Sequence, residues 1–255
     1  MGILKKNLNQ NQKIYQSDNF QLLQPWSVPI LKTNLPENIF KSFYNLSEDI
    51  LKDPNPRLAG PYLAGQIENE RYINLNLLDS YNIKTYLVKT LQTFIIESRI
   101  QMLPFVEQER IRKNSYDIEI KSIWIVSQKP GEYNPLHYHE GMISGVLYLK
   151  IPEKLWSIKD NDCDGSLIFN NTALNKNFSR PILQIEPKVG ELYIFGSQQQ
   201  HAVYPYRSNM KNAERRSISF NAFFRENPLN CTPFELKSDK GSRLMYYEGS
   251  KYELG

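Results

Sequence analysis

From about Tyr116 onward, apolar residues recur at every second position instead of every third or fourth. The runs are "YDIEIKSIWIVSQKPGEY", "MISGVLYLKIP", "GSLIFNN", "PILQIEPKVGELYIFGS", "HAVYPY" and "RRSISFNAFF". Each is short, rich in β-branched and aromatic residues, and punctuated by Gly, Pro or Asn. A period of two sends alternate side chains to opposite faces of an extended chain. This half can therefore bury its apolar side chains only as sheets. Strands that follow helices predict helices backing an all-β double-sheet barrel.

The preceding half supplies the helices. "WSVPILKTNLP" reads as a strand and turn. "PENIFKSFYNLSEDILKD" brings Ile39, Phe40, Phe43, Leu46 and Ile50 near one helical face, with Pro36 at its first position. "LLDSYNIKTYLVKTLQTFIIESRIQML" is the strongest helical pattern, carried by Ile83, Tyr86, Leu87, Leu91, Phe94 and Ile95 behind a cap at Asp79 or Ser80. The segment between them, from Asp53 to about Leu75, reads as turn-rich and polar. The expected organisation is a flexible lead-in over 1–20 and one domain over 21–225. Within that domain, helical support covers about 36–115 and the barrel about 116–225. The extension over 226–255 has no assigned role.

Composition removes several classes of function. The chain has 255 residues, 40% of them hydrophobic, which fits a folded globular protein. Its net charge is +4, with basic residues dispersed, so a nucleic-acid surface is not indicated. Cys163 and Cys231 are the only cysteines, which points to a reducing compartment. The N-terminus has no signal-peptide apolar core, and Lys6 breaks the myristoylation pattern after Met-Gly. No apolar run approaches the roughly 20 residues a membrane helix needs. The expectation is a soluble, cytoplasmic protein.

Histidine is used sparingly. Only three occur, and two of them, His137 and His139, stand two apart in "NPLHYHEGMISGVLYLKIP". In an extended strand they share a face, with Tyr138 and Glu140 on the other. The third, His201, lies in "SQQQHAVYPY". Three imidazoles that leave coordination positions open are the layout of a catalytic metal site, and imidazole suits iron, zinc, copper and nickel alike. A plainer reading is a His-X-His pair that contacts a phosphate or a partner.

In "ERRSISFNAFF", Arg215, Ser217, Ser219 and Asn221 alternate with Arg216, Ile218 and Phe220. An arginine and a serine two residues apart can clamp a carboxylate with a bidentate fork and a third donor. Beside a metal, that makes a receptor for an acid whose other end chelates the ion. The plainer reading is a surface Arg-Arg pair on an edge strand.

Taken in order, "NPLHYHEGMISGVLYLKIP", "GSLIFNN", "PKVGELYIFGSQQQHAVYPY" and "RRSISFNAFF" resemble the iron(II)/2-oxoglutarate-dependent oxygenases, in particular a branch found in bacteria and tailed phages. "LAGQIENE" (63–70) resembles the upstream segment of the phage members. The resemblance spans about Trp26 to Phe224. It implies a mainly β fold with supporting α-helices, a double-stranded β-helix, the jelly-roll related to cupins. It implies iron(II) as metal and 2-oxoglutarate as co-substrate, with O2 consumed to hydroxylate an unactivated C–H bond. By resemblance His137 and His201 take the two His positions of the metal triad. His139 stands where the wider superfamily has Asp or Glu, with Glu140 as its competitor. Arg215 takes the position that binds the distal carboxylate of 2-oxoglutarate, with Ser217 as partner, while Ser144 and Tyr148 face the co-substrate pocket. The substrate, a small molecule or peptide, is not readable. The rival classes are a cupin-like dioxygenase that does not use 2-oxoglutarate and a non-catalytic metal-binding module.

Overall fold

A computed structural model of the chain describes residues 15–16, 21–22, 28–102, 105–153, 163–171, 181–227, 234–237 and 243–246. Most of the expected N-terminal lead-in and C-terminal extension, with Cys231, lies outside the described residues. In chain order the elements are β1 (Tyr15–Gln16), β2 (Gln21–Leu22), β3 (Ile30–Asn34), α1 (Glu37–Lys52), a 3-10 turn (Gly60–Tyr62), β4 (Asn69–Tyr72), α2 (Leu77–Ser80), α3 (Lys84–Met102) and α4 (Phe105–Lys113). There follow β5 (Ser115–Gln128), β6 (Asn134–His137), β7 (Ile143–Lys150), β8 (Leu167–Asn170), β9 (Ile182–Ile185), β10 (Glu191–Gly196), β11 (His201–Val203), β12 (Arg215–Asn227), β13 (Phe234–Lys237) and β14 (Arg243–Tyr246).

The fold is mainly β. One sheet has the order β3-β10-β7-β12-β5-β4 and a second has the order β6-β11-β8-β9. The pairs β3–β10, β10–β7, β7–β12 and β4–β5 run antiparallel, as do β6–β11, β11–β8 and β8–β9. Two antiparallel sheets of non-sequential strands make the double-stranded β-helix. The chain divides into two compact units. Val28–Phe94 with Glu119–Phe223 forms one, and Met1–Ser27, Ile95–Ile118 and Phe224–Gly255 form the other. In the second unit, Glu226 accepts hydrogen bonds from Arg99 and Asn114, and the rings of Tyr116 and Phe224 meet edge-on at 6.0 Å.

The jelly-roll unit closes over β-branched and aromatic side chains. Leu167, Phe169 and Phe195 cluster with Val146, Val203 and Ile185, while Ala59, Ile67, Trp124 and Val126 form a second cluster. At the β7–β12 pair, Phe220 lies opposite Gly145, and a Cβ on Gly145 would stand 2.2 Å from the Phe220 ring. Only glycine admits that ring.

The helical half departs from expectation at its ends. Pro36 caps α1 with extended ψ (146°) instead of opening it. The strongest helical pattern is broken at Asn82, whose φ is +56°, so α2 ends at Ser80 and α3 starts at Lys84 with no cap from Asp79 or Ser80. The apolar stripe of α3 is buried as its spacing demands, with Leu87, Leu91, Phe94 and Ile95 inside. β4 arises within the stretch read as turn-rich, because pairing with β5 gives a polar sequence its backbone partners.

Candidate metal centre and its cavity

His137 closes β6, and His201 opens β11 directly opposite it in the antiparallel register. His139 lies two residues past the end of β6. Its backbone N–H donates to the Ser197 carbonyl (2.9 Å), and its own carbonyl accepts from Gln198 Nε2 (3.1 Å). These bonds continue the extended alternation beyond the strand, so Tyr138 and Glu140 are exposed while the His139 ring turns inward. The ring nitrogens of His137, His139 and His201 gather within 4.8 Å of one another. Glu140 stays at the cavity rim.

The tautomers of two rings follow from their partners. A carbonyl oxygen only accepts, so His137 Nδ1–H donates to the Pro135 carbonyl (2.7 Å) and His201 Nδ1–H to the Gln199 carbonyl (2.9 Å). Each Nε2 is left with a lone pair, the form a metal binds. His201 Nε2 stands 3.2 Å from His139 Nε2. Two nitrogens at bonds of about 2.0–2.1 Å to one ion lie roughly 3 Å apart. Burial, then the nearby His137, pushes His201 down to about 3 and His139 down to about 4, and burial also lowers His137. All three rings are neutral near pH 7, as metal ligation requires. Phe195 meets the His201 ring edge-on at 4.9 Å, and Trp124 lies 5.8 Å from His139.

The triad opens into a cavity of about 500 Å³ between the two sheets. Arg215, Ser217, Ser219 and Asn221 of β12 all line it, as does Val146 of β7. Arg215 is 4% exposed. Its Nη1 donates to the Gly165 carbonyl at 2.6 Å, its Nε has no partner, and no carboxylate among the described residues pairs with it. Gly165 presents that carbonyl from a turn at φ +71°, which glycine adopts without strain. Burial pulls the Arg215 guanidinium below its ordinary value, with Tyr148 and Tyr206 pulling the other way.

Ser144 and Tyr148 share the face of β7 that carries Val146, but neither lines the cavity. Ser144 donates to Asn221 Oδ1 at 2.7 Å and so fixes an amide that does line it. Tyr148 is fully buried, and its ring lies 5.2 Å from the Arg215 guanidinium carbon. Burial raises the tyrosine's pKa, and the positive arginine acts against that rise. The expected sites thus fall into two groups. His137, His139, His201, Arg215 and Ser217 meet at one cavity, with Ser144 and Tyr148 one layer behind it.

The cavity also has walls that the sequence did not disclose. Tyr62, Leu63, Ala64 and Ile67, from the segment beginning at Ala59, form one side. Behind them lies Glu70, 1% exposed, with neither carboxylate oxygen hydrogen-bonded. Burial, then Glu132, pushes it up to about 7. Asn134 is the other omission. Between His201 and Val203 the β6–β11 register slips by one residue, pairing Val203 with Asn134. The slip sets Asn134 on the face of His137, where simple alternation would have turned it away. A proline inside an edge strand, here Pro135, is the available signal for such an irregularity.

An inward-facing three-imidazole cluster beside a buried arginine, held between two antiparallel sheets, defines a jelly-roll protein with a candidate metal centre. Residues 122–221, which contain every one of these groups except the 59–72 wall, match a family described as "Putative 2OG-Fe(II) oxygenase". The match covers the greater part of the jelly-roll strands and makes this region similar to a family whose description names iron(II) and 2-oxoglutarate. No curated protein matches the sequence significantly. Among solved structures, the chain is similar to a prolyl-4-hydroxylase of Pseudomonas putida at 18% identity, covering 76% of this chain and 93% of that one, with a TM-score of 0.46. It is similar to a viral collagen prolyl hydroxylase from Paramecium Bursaria Chlorella virus-1 at 15% identity (76% and 94% covered, TM-score 0.44). A Trichoplax adhaerens prolyl hydroxylase, solved with a hypoxia inducible factor peptide fragment, is similar at 16% identity (75% and 81% covered, TM-score 0.46).

The residues present fit both groups that the superfamily uses. Three neutral imidazoles, with inward lone pairs on His137 and His201, are a competent donor set for iron(II). The unpartnered Arg215 Nε is a competent receptor for a carboxylate. Among the described residues, no helix is long and apolar enough to cross a membrane.

Proposed function

We propose that this chain is an iron(II)- and 2-oxoglutarate-dependent oxygenase that hydroxylates an unactivated C–H bond of a small molecule or peptide. The observation that carries this reading is Arg215. A guanidinium stays charged in a protein, and a buried charge without a counter-ion is strongly unfavourable. Arg215 is buried, has one carbonyl partner, and lines the same cavity as three metal-competent imidazoles. An anion that also reaches the metal completes both.

His137, His139 and His201 would hold the iron. Arg215 would take the distal carboxylate of 2-oxoglutarate in a charge-assisted pair, with the Ser217 hydroxyl as a further donor. Tyr148 supports the guanidinium from behind, and Ser144 sets the orientation of the Asn221 amide. When bound, iron and 2-oxoglutarate supply the oxygen-activating chemistry; the chain supplies position and exclusion of water. The cavity volume falls within the range of small-molecule sites, roughly 300–1,000 Å³.

Anaerobic calorimetry of 2-oxoglutarate into iron-loaded protein tests the reading. Truncating one partner of a buried charge pair typically costs about 2–5 kcal/mol, or roughly 30-fold or more in affinity. Arg215→Ala is expected to lose that much and to keep iron(II) binding. Equal affinity in both proteins, or none in the parent, shifts the assignment to a cupin-like dioxygenase or a non-catalytic metal-binding module.

A further inference from the structure

We propose that Asn134 hydrogen-bonds the oxygen ligand carried by the metal beside His137, making it a polar determinant of the centre without being a metal ligand. The inference rests on the functional reading above. Its ground is an accounting of lone pairs. The Nδ1–H of His137 is committed to the Pro135 carbonyl, so Nε2 carries the ring's only free lone pair. Asn134 Nδ2 stands 3.4 Å from that nitrogen, and Asn134 Oδ1 is buried with no hydrogen-bond partner.

One lone pair serves one partner. An ion at Nε2 displaces the amide N–H, whose carbonyl end is already unmatched. A half-buried primary amide with both ends unsatisfied is unfavourable. The Asn134 side chain lines the cavity, so its new partner must come from there. An oxygen bound to the same ion is the group placed to serve. A carboxylate, keto or water oxygen accepts the N–H. The register slip in β6 is what aims the residue there, since regular alternation would point Asn134 away from His137.

The test uses the full chain with Asn134→Ala and the isosteric Asn134→Asp, each loaded anaerobically with iron(II) and titrated with 2-oxoglutarate. The readout is the visible charge-transfer absorption of the chelate. Asn134→Ala is expected to keep iron affinity within about 3-fold, to lose roughly 10-fold in 2-oxoglutarate affinity, and to shift the absorption band. Asp, an acceptor only when ionised, is expected to lose at least as much. Unmoved bands and equal affinities in both variants overturn the proposal. If the parent binds iron but shows no chelate, the functional reading fails and the oxygen ligand is water. In that case proton relaxation of the manganese(II)-loaded proteins decides. A several-fold change in water exchange on losing Asn134 supports the hydrogen bond, and identical relaxation overturns it.

Discussion

Arg215 and Arg216 are neighbours on β12, equally buried at 4% and 5% exposed, and they live in opposite electrostatic worlds. Arg216 points to the core face with Ile218 and Phe220. It donates to both oxygens of Glu214 (2.8 and 2.9 Å), to Glu48 (2.6 Å) and to Ser47 (3.0 Å). Burial pulls its pKa down, but Glu214 and Glu48 outweigh that and leave it raised. Arg215 points to the cavity face with Ser217, Ser219 and Asn221 and meets no carboxylate among the described residues. The same residue type, one position apart, serves as a structural keystone on one face and an open receptor on the other. Counter-ions, not burial, distinguish a cation that holds a fold from one that awaits a ligand.

The largest effect expected from this contrast is on stability. Arg216→Ala removes the buried guanidinium from Glu214 and Glu48, leaving Glu214 to Lys150 and Ser127 and Glu48 to Lys52. Breaking a buried pair costs about 3–5 kcal/mol, the lower end applying here because Glu48 is partly exposed. Urea denaturation of the metal-free protein measures it, and a loss below about 1 kcal/mol would dissolve the distinction between the faces. The surviving folded fraction is expected to bind 2-oxoglutarate as the parent does.

Gly145→Ala probes the core face by volume instead of charge. A methyl 2.2 Å from the Phe220 ring forces a shift, and overpacking of this kind costs about 1–3 kcal/mol. Gly145→Ala with Phe220→Leu should recover part of that loss in the same assay. Additive losses would mean the ring and the glycine do not interact as described.

Glu70 sharpens the comparison, because it is also buried without a partner yet can shed its charge where Arg215 cannot. Its folded pKa of about 7 lies above the ordinary 4.5, so the folded protein binds this proton more tightly than the unfolded chain. The stability it contributes is complete below about pH 4.5 and is lost as pH rises through about 7. Glu214 has the opposite sign. Burial raises it, but Arg216, Lys150 and Ser127 together hold it at about 2, so its contribution is complete above about 4.5 and lost on acidification toward 2. Glu70→Gln is expected to flatten the decline in urea midpoint between pH 5 and pH 8; an unchanged decline would place the titration elsewhere.

The smallest effect is expected from Arg215→Met in the metal-free protein. Replacing an unpaired buried cation with an apolar side chain of similar length should leave stability within about 1 kcal/mol or raise it. A large loss would show that Arg215 holds the fold after all.

Much of this was written in the alternation. Period two told apart the two faces of β12 and placed Arg215 with Ser217 against Arg216, although β12 lies inside its sheet instead of at an edge. It also set His137 and His139 on one side. What the period could not carry was any break in it. The slip that turns Asn134 inward, the left-handed Asn82 that splits a helical stripe, and the polar β4 all depend on partners distant in sequence. The cavity wall from Tyr62 to Ile67 was hidden for the same reason, since nothing local says what a turn-rich segment will lie against.

The three imidazoles are not equally tethered. His137 and His201 each anchor Nδ1 to a carbonyl two residues back in their own chain, while among the described residues the His139 Nδ1 has no such anchor. A tether that short forms with the local backbone and needs no distant contact to hold it. Those two rings are thus aimed by their own local backbone, whereas His139 is held by its contact with His201 Nε2 and its packing near Trp124. In the proposed triad, His139 would therefore be the ligand aimed by neighbouring rings instead of by its own backbone.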